Sequence, residues 1–205
     1  STWGTLCTPT RSGYTFVGWY SSKNNETKIT DTSNTLQSTD HTLYARWEKS
    51  LSNLEITLSP TSYTYDGTEK KPTVTVKDGD VTLTAGTDYT VSYKNNINAG
   101  TATVTITSKN NYNDTSNSIY SGTVTKEFTI NKASSTNPTL TKYEGTYDGA
   151  SHTFTLSGGA GGTIQYSTDG GTTWGATKPT RTSVGTTTVH VRILGDSNHN
   201  NTTAT

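Results

Sequence analysis

The sequence has no methionine, only one cysteine, few leucines and alanines, and little charge. Because strong helix formers are scarce, long helices are disfavoured. The single cysteine, Cys7, excludes an internal disulfide. Hydrophobic residues make up 28% of the chain, below the ~45–50% of ordinary globular domains. The formal net charge is nevertheless zero, which argues against disorder. We therefore expect an ordered protein with a thin core.

The charge balance and the lack of a long apolar run exclude two classes of partner. The 16 basic and 16 acidic residues form no basic patch, so a nucleic-acid partner is not expected. No apolar run approaches the ~18 residues that a transmembrane helix needs. We expect no membrane-spanning segment in this chain.

Threonine and tyrosine take the place of the missing apolar residues. Threonine makes up nearly a quarter of the chain, and there are 12 tyrosines. Both residue types favour strands, because β-branched and aromatic side chains fit a pleated, half-buried surface. Apolar residues alternate with polar ones at period two, as in the segment Tyr89–Tyr93. The sequence predicts a mostly β protein.

Internal repeats divide the chain. Thr64–Gly67 reads Thr-Tyr-Asp-Gly and so does Thr146–Gly149, and an alternating strand follows each. Asn98–Thr101 also parallels Ser183–Thr186, and each leads into alternating apolar residues, Val104/Ile106 in one and Val189/Val191/Ile193 in the other. Asn111–Asn113 then matches Asn198–Asn200. The spacing of about 82–87 residues suits a small sandwich module. We therefore predict a first copy at residues 50–133 and a second copy at 134–205, joined by a short linker at 133–138.

The first copy carries readable hairpin signals. Val74–Lys77 and Val81–Leu83 flank Asp78-Gly79, a strong tight-turn signal. Its last strand is predicted at Val124–Ile130, after an Asn-rich loop at 109–118.

Residues 1–49 match neither copy and hold three of the four tryptophans. Pro9–Tyr20 reads PTRSGYTFVGWY, and Thr42–Trp47 reads TLYARW. Over residues 4–48 this pattern closely resembles the internalin-type B-repeat (Listeria–Bacteroides repeat). The resemblance implies a small β-grasp-like module of secreted bacterial surface proteins. Family members usually carry a strand before the point where this chain begins, so the resemblance also implies a module without its first strand.

Residues 50–205 resemble bacterial Ig-like modules that carry a Tyr-Asp-Gly motif, here Tyr65–Gly67 and Tyr147–Gly149. Such modules typically occur in tandem on very large surface proteins. Neither resemblance implies catalytic residues or a cofactor. Together they predict a β-grasp-like module (1–49) followed by two Ig-like β-sandwiches (50–133 and 134–205) in an extended array.

Ser167–Trp174 fits the Asp-box pattern of sialidases. One box without propeller periodicity indicates a hairpin turn, with the tryptophan packed beneath it, rather than a glycosidase. The glycine-rich run Gly158–Gly162 lacks the Lys-Ser/Thr of a phosphate loop. We expect it to form a flexible hairpin tip.

Other residues could carry chemistry but have simpler structural explanations. Aromatic rings could stack on a sugar or pack in the core; the candidates are Tyr63, Tyr65, Tyr89, Tyr93 and Tyr112. Calcium could use Asp66, Asp78 and Asp80, although no loop has the dense ligand spacing of a calcium site. The scattered histidines form no zinc pattern: His41, His152, His190 and His199. We predict no catalytic, cofactor or metal site, and no pocket that gathers acids, histidines and Cys7 within hydrogen-bonding range.

The expected function is mechanical: a non-enzymatic stalk or spacer, with an adhesion role, on the surface of a bacterial cell. We expect a monomer whose partners, if any, are a host protein or a glycan. Two alternatives stay open, a direct host-protein or glycan binding module and an accessory region of a large secreted glycosidase. The second copy has only five residues after Asn200, so we expect it to lack its last strand. A sheet edge should then be vacant there, and another at the front of residues 1–49.

Overall fold

The computed structural model describes residues 5–23, 27–30, 42–109 and 118–205. Strands account for 48% of the described residues and helix for 2%, so the prediction of a mostly β protein is confirmed. A short 3-10 helix lies at Leu51–Asn53. The strands are β1 (Thr15–Tyr20), β2 (Lys28–Ile29), β3 (Tyr44–Ser50), β4 (Glu55–Ser59), β5 (Ser62–Thr64), β6 (Thr73–Asp78), β7 (Val81–Thr82), β8 (Tyr89–Lys94), β9 (Gly100–Ser108), β10 (Ser118–Ser121), β11 (Thr123–Asn131), β12 (Thr139–Thr141), β13 (Thr155–Ser157), β14 (Gly162–Ser167) and β15 (His190–Gly195).

The first sheet has the strand order β10-β3-β1-β2. β1 and β3 pair antiparallel with Phe16 opposite Trp47, and a register shift follows Phe16. The Phe16 ring meets Trp19 and Trp47 edge-on at centroid distances of 5.6 and 5.5 Å. Edge-to-face pairs of this kind add to the stabilisation from buried area. Aromatic residues thus hold together a sheet that contains few aliphatic side chains.

A strand from the first copy, β10, lies at one edge of this sheet, beside β3. Ser118–Ser121 pairs in parallel with Trp47–Ser50, and Ile119 is buried. β10 comes from the first copy, so a strand that is distant in sequence extends the sheet of residues 1–49. The sequence did not predict this pairing, because the short apolar signal Ile119-Tyr120 gives no indication of a distant partner strand. The vacant edge expected at the front of residues 1–49 stays a prediction.

The first copy contains two sheets, β4-β6-β7 and β5-β11-β9-β8, in a sandwich-like arrangement. β6 and β7 form the predicted hairpin, with Asp78 opposite Val81 and Gly79 at a φ of 59°. Tyr89 of β8 donates a 3.3 Å hydrogen bond to Val74 O, so the two sheets are in contact. The inward-facing positions are the alternating apolar ones; the buried set is Val76, Leu83, Tyr89, Val104, Ile106, Phe128 and Ile130.

The second copy contains two small sheets, β12-β13 and β14-β15. Backbone hydrogen bonds join Thr205 to Val191 in both directions, at 2.8 and 3.0 Å, and Thr202 N donates to Ile193 O at 3.0 Å. The residues after Asn200 therefore lie along β15. The expectation of unpaired backbone on that edge is wrong at Val191 and Ile193, because even a threonine-rich segment of five residues supplies backbone donors and acceptors.

The segment 133–138, which we predicted as a linker, is also hydrogen-bonded. Ala133 forms a parallel bridge with His199, and Thr136 forms an antiparallel bridge with Ala160. Ala160 lies in the glycine-rich run, which connects β13 of one sheet to β14 of another. That run is not the tip of a hairpin between the two strands, so this prediction was wrong.

The chain divides into two compact units. One comprises Ser1–Pro60, Pro72–Lys94 and Thr103–Glu127, and the other comprises Thr61–Lys71, Asn95–Ala102 and Phe128–Thr205. The division into modules at 1–49, 50–133 and 134–205 stays a prediction. Within the described ranges, no helix has the length and apolar character to cross a membrane.

Candidate functional site

The two Tyr-Asp-Gly segments fold into the same turn. Asp66 Oδ1 accepts a 2.8 Å hydrogen bond from Thr68 N, and Asp148 Oδ1 accepts one of the same length from Ala150 N. The glycine within each turn has a φ of 81° in the first copy and 77° in the second. This conformation strongly favours glycine, since a Cβ atom would be strained there. The repeated sequence motif therefore has the same local structure in both copies.

The side chain of the residue four positions after each motif's aspartate completes the turn. Lys70 Nζ donates to Asp66, and its hydrogen bond lowers the pKa of that carboxyl. In the second copy His152 Nε2 lies 2.8 Å from Asp148 Oδ1 and lowers the pKa of Asp148. The position of the aspartate's hydrogen-bond partner is thus kept while its residue type changes.

A second loop lies beside each turn, and it too has the same form in both copies. Lys70 N donates to Asn96 O at 2.7 Å; in the second copy His152 and Arg181 exchange two backbone hydrogen bonds of 2.9 Å. The glycines that follow, Gly100 and Gly185, have φ values of 138° and 131°. The turn and its neighbouring loop therefore form one repeated surface.

In the first copy this surface is covered by a loop of the second. Ala99 N donates a 2.8 Å hydrogen bond to Asn198 Oδ1, and Asn198 Nδ2 donates to Asn98 Oδ1 at 3.2 Å. The rings of Tyr65 and His199 meet edge-on, with centroids 5.4 Å apart. All these residues belong to one compact unit. We call this contact the junction.

The covering loop, Asp196–Asn200, is held in shape by its own side chains. Asp196 Oδ1 accepts 2.8 Å hydrogen bonds from Asn198 N and from His199 Nδ1. The bond from His199 lowers the pKa of Asp196. Backbone bonds of 2.9 Å also join Ala133 N to Asn198 O and Asn200 N to Ala133 O. The junction thus combines backbone pairing, side-chain hydrogen bonds and ring packing.

In the second copy the equivalent surface is open and forms a groove of about 460 Å³. Tyr147, the counterpart of Tyr65, is 64% exposed, and Val184, the counterpart of Ala99, is 78% exposed. Tyr143 also lines the groove and is 48% exposed. These are three of the six large hydrophobic residues that are exposed in the described part of the chain. Clustered exposed apolar residues of this kind mark interaction surfaces.

One of the residues that line the groove, His152, is paired with an acid. His152 stacks on Tyr143 at a centroid distance of 4.3 Å and an interplanar angle of 7°. Its Nε2 faces both Asp148 Oδ1 and, at 3.5 Å, the Tyr143 hydroxyl. In a hydrolytic triad the acid and the nucleophile bind opposite ring nitrogens; here both neighbours share one. Turn geometry brings together Asp148 with His152 and Asp196 with His199, whereas the expectation that no pocket gathers two or more of the acids, histidines and Cys7 stays a prediction.

The tyrosines that we considered for sugar binding lie elsewhere. Tyr89 is buried, and Tyr93 donates a 2.9 Å hydrogen bond to Pro72 O. Tyr63 packs edge-on against Phe128 with centroids 5.7 Å apart. Tyr112 lies outside the described residues. The exposed aromatic residues, Tyr143 and Tyr147, were not among the candidates.

The candidates for metal binding or nucleophilic chemistry are dispersed. Asp78 forms an ion pair with Lys49 and accepts a 3.2 Å hydrogen bond from the Tyr120 hydroxyl. Cys7 is exposed, and its carbonyl accepts a hydrogen bond from Trp19 Nε1. His190 lies in β15 opposite Ser167, and His41 lies outside the described residues. Within the described ranges, no three His, Cys, Asp or Glu side chains are grouped as metal ligands would be.

Ser167–Trp174 forms the predicted turn, closed by two backbone hydrogen bonds between Tyr166 and Gly175. Asp169 organises it by accepting hydrogen bonds from Ser167 Oγ, Thr172 N and Thr173 N at 2.6, 3.1 and 2.9 Å. Among these, the bond from Ser167 contributes most to lowering the pKa of Asp169. The Asp box is a structural turn here.

We expect Trp174→Ala to lower the free energy of unfolding by about 1–3 kcal/mol, less than the ~3–5 kcal/mol of a fully buried aromatic residue. Trp174 is only half-buried; it donates a 2.9 Å hydrogen bond to Gly171 O and packs 4.1 Å beneath the Arg192 guanidinium. Urea unfolding followed by circular dichroism measures the loss. Trp174→Phe, which keeps a ring for Arg192, should lose less; equal losses would show that the ring does not contribute.

We expect stability to fall as the pH drops below the ordinary aspartate pKa of 3.8, because the folded state holds the pKa of Asp66 and Asp169 below that value. A lowered pKa stabilises the folded state above pH 3.8, and protonation removes this stabilisation as the pH falls from 3.8 toward the lower pKa of the folded state. Melting temperatures across this range measure it. Asp169→Asn should make the melting temperature depend less on pH in the acid range. Asp80→Asn, on an exposed turn, should leave this pH dependence unchanged.

Comparison with known proteins agrees with the sequence analysis for the first segment. Residues 1–46 match the family model of the Listeria-Bacteroides repeat domain. The resemblance predicted for residues 4–48 is therefore confirmed. That repeat is typical of bacterial surface proteins. No curated protein and no solved structure matches the chain, so the Ig-like resemblance of residues 50–205 stays a prediction.

The repeat alignment points to the groove once the covered surface of the first copy is known. Tyr65 and Tyr147 occupy the same motif position, as do Ala99 and Val184. Because Tyr65 is covered by the second copy, its counterpart needs a further neighbour to be covered. Sequence reasoning missed this since it judged each tyrosine singly as a core or sugar-binding residue.

Proposed function

We propose that this chain is a non-catalytic spacer region of a bacterial cell-surface protein. The observation that supports the proposal best is that hydrogen-bonded backbone, rather than open linker, connects each predicted module to the next. β10 of the first copy extends the sheet of residues 1–49. Asn198 and Asn200 of the second copy pair with Ala133. A spacer must hold its ends apart, and ordered connections serve that purpose better than flexible ones.

Side-chain contacts support the first connection. Lys49 at the end of β3 forms an ion pair with Asp78 of the β6–β7 hairpin. Tyr120 of β10 donates to the same carboxylate. Leu51, in the 3-10 helix between β3 and β4, is fully buried. The two predicted modules are thus connected by a strand and a carboxylate, and a buried leucine lies in the chain between them.

Electron–electron distance measurements test this proposal. Cys7, the natural and exposed cysteine, takes one spin label, and Val81→Cys, at a site 62% exposed, takes the other. We expect a single narrow distance distribution, which Asp78→Ala should broaden by removing the contacts to Lys49 and Tyr120. A broad distribution in the unaltered background would contradict an ordered connection. The surface location is tested separately, by antibodies against this chain on intact cells of the source bacterium.

A second candidate function, binding of a glycan, is favoured by the exposed tyrosines of the groove. Tyr143 and Tyr147 present ring faces and hydroxyl groups beside polar side chains, a combination that suits stacking on a sugar with hydrogen bonding at its rim. A glycan array distinguishes this function. Binding that Tyr147→Ala abolishes would support it, whereas an array without hits would leave the spacer as the only candidate.

A further inference from the structure

The groove of the second copy and the covered surface of the first are the same structural element. A loop covers this element in the first copy, and it is open in the second. Each consists of a Tyr-Asp-Gly turn and a loop with a glycine near a φ of 131–138°. In the first copy Tyr65 is half-buried against His199. In the second copy Tyr147 is 64% exposed. Sequence and backbone are therefore repeated, while the covering loop is present once.

The hydrogen-bonding groups that the covering loop uses are also repeated. At the junction, Asn198 accepts from the N–H of Ala99 and donates to the side-chain oxygen of Asn98. The corresponding groups of the groove are the N–H of Val184 and the hydroxyl of Ser183. Among the residues that the structure describes, none accepts a hydrogen bond from Val184 N. One asparagine side chain could satisfy both groups in the same way.

The groove is held in the shape that binding requires. The Arg181 guanidinium donates to Ser183 O, Val184 O and Thr187 Oγ1 at 2.8, 3.0 and 3.0 Å. A Cβ atom on Gly185 would lie 2.4 Å from this guanidinium, so the glycine allows the arginine its position. A preformed loop loses little conformational entropy when a partner binds.

We propose that the groove docks the asparagine-rich loop of a further module of the same kind, a loop of the Asp-Ser-Asn-His-Asn type seen at Asp196–Asn200. The asparagine of that loop accepts a hydrogen bond from Val184 N and donates one to Ser183 Oγ. The histidine ring of the loop packs on Tyr147. This inference extends the proposed spacer function, since it makes each copy a connector to the next. It rests on the junction within this chain, where the same contact is made.

A peptide titration of the full chain tests the docking. The probe is a peptide of residues 195–201 closed into a ring by added terminal cysteines, and amide chemical shifts are the readout. In an array a short connection supplies a millimolar effective concentration, so we expect saturable shifts at Tyr147, Val184 and Gly185 with a dissociation constant in the millimolar range. The same peptide carrying the Asn198→Ala change should bind at least about tenfold more weakly, a loss of ~1.4 kcal/mol.

Protein variants separate the groove from non-specific binding. Tyr147→Ala removes an exposed ring and should abolish the shifts, whereas Val81→Ala, an exposed apolar site outside the groove, should leave them unchanged. No saturable shift up to about 10 mM peptide, or equal binding of the Asn198→Ala peptide, would overturn the proposal. If the groove bound a glycan but showed no shifts with the peptide, the docking proposal would also be overturned and the second candidate function would be favoured. The titration reports on the groove, whereas the spin-label distances report on a connection inside the chain. The docking proposal and the spacer proposal can therefore be contradicted independently of each other.

Discussion

Leu51→Ala is expected to lower the free energy of unfolding by about 3–5 kcal/mol, the upper part of the range for buried leucine truncations. Leu51 has no exposed surface and begins the 3-10 helix between β3 and β4. Removing its side chain leaves a cavity at the place where residues 1–49 meet the first copy. Urea unfolding monitored by tryptophan fluorescence reports the change, since Trp19 and Trp47 lie in the adjacent sheet.

Leu54→Ala provides the matched control. Leu54 follows the same 3-10 helix but is only half-buried, so its truncation should cost less than half as much as that of Leu51. If both substitutions had the same effect, the leucine at position 51 would not be a core residue. A loss below about 1 kcal/mol, typical of surface sites, would lead to the same conclusion.

Ile193→Ala is expected to destabilise the second copy by about 2–4 kcal/mol. Ile193 is 1% exposed, lies opposite Ile164 in the β14–β15 pair, and exchanges hydrogen bonds with Thr202 on its other side. Few other apolar residues are fully buried in this copy, so the loss of three heavy atoms is a large fraction of its core. Fluorescence of Trp174, which is the only tryptophan after residue 47, reports its unfolding.

Leu194→Ala, one residue further along the strand, is the control for Ile193. Strand alternation turns Leu194 to the opposite face, where it is 41% exposed. Its truncation should cost less than about 1 kcal/mol. A larger loss for Leu194 than for Ile193 would mean that the register of β14 and β15 is shifted by one residue.

Local signals in the sequence predicted local structure well. The strand at Thr15–Tyr20, the hairpin around Asp78-Gly79 and the strand at Thr123–Asn131 all follow from alternation and turn chemistry over a few residues. The Asp box also forms the predicted turn. In these cases the residues that determine the structure lie within about ten positions of each other.

Long-range pairing could not be predicted in the same way. β10 pairs with β3, and Ala133 bridges to His199, although neither partner carries a pattern that specifies the other. Backbone hydrogen bonding requires no particular side chain, so threonine-rich or asparagine-rich segments can pair without a signal. The groove was missed for a related reason, because the exposure of Tyr147 depends on whether another loop covers it.

Amide hydrogen exchange at the junction tests the central claim, that ordered contacts connect the copies. The amides of Ala99, Ala133 and Asn200 donate to Asn198 Oδ1, Asn198 O and Ala133 O. We predict protection factors within about tenfold of those of Val191 in β15, as expected when a contact opens only with the core. Exchange of these three amides at the rate of an unstructured peptide, while Val191 stays protected, would contradict the account.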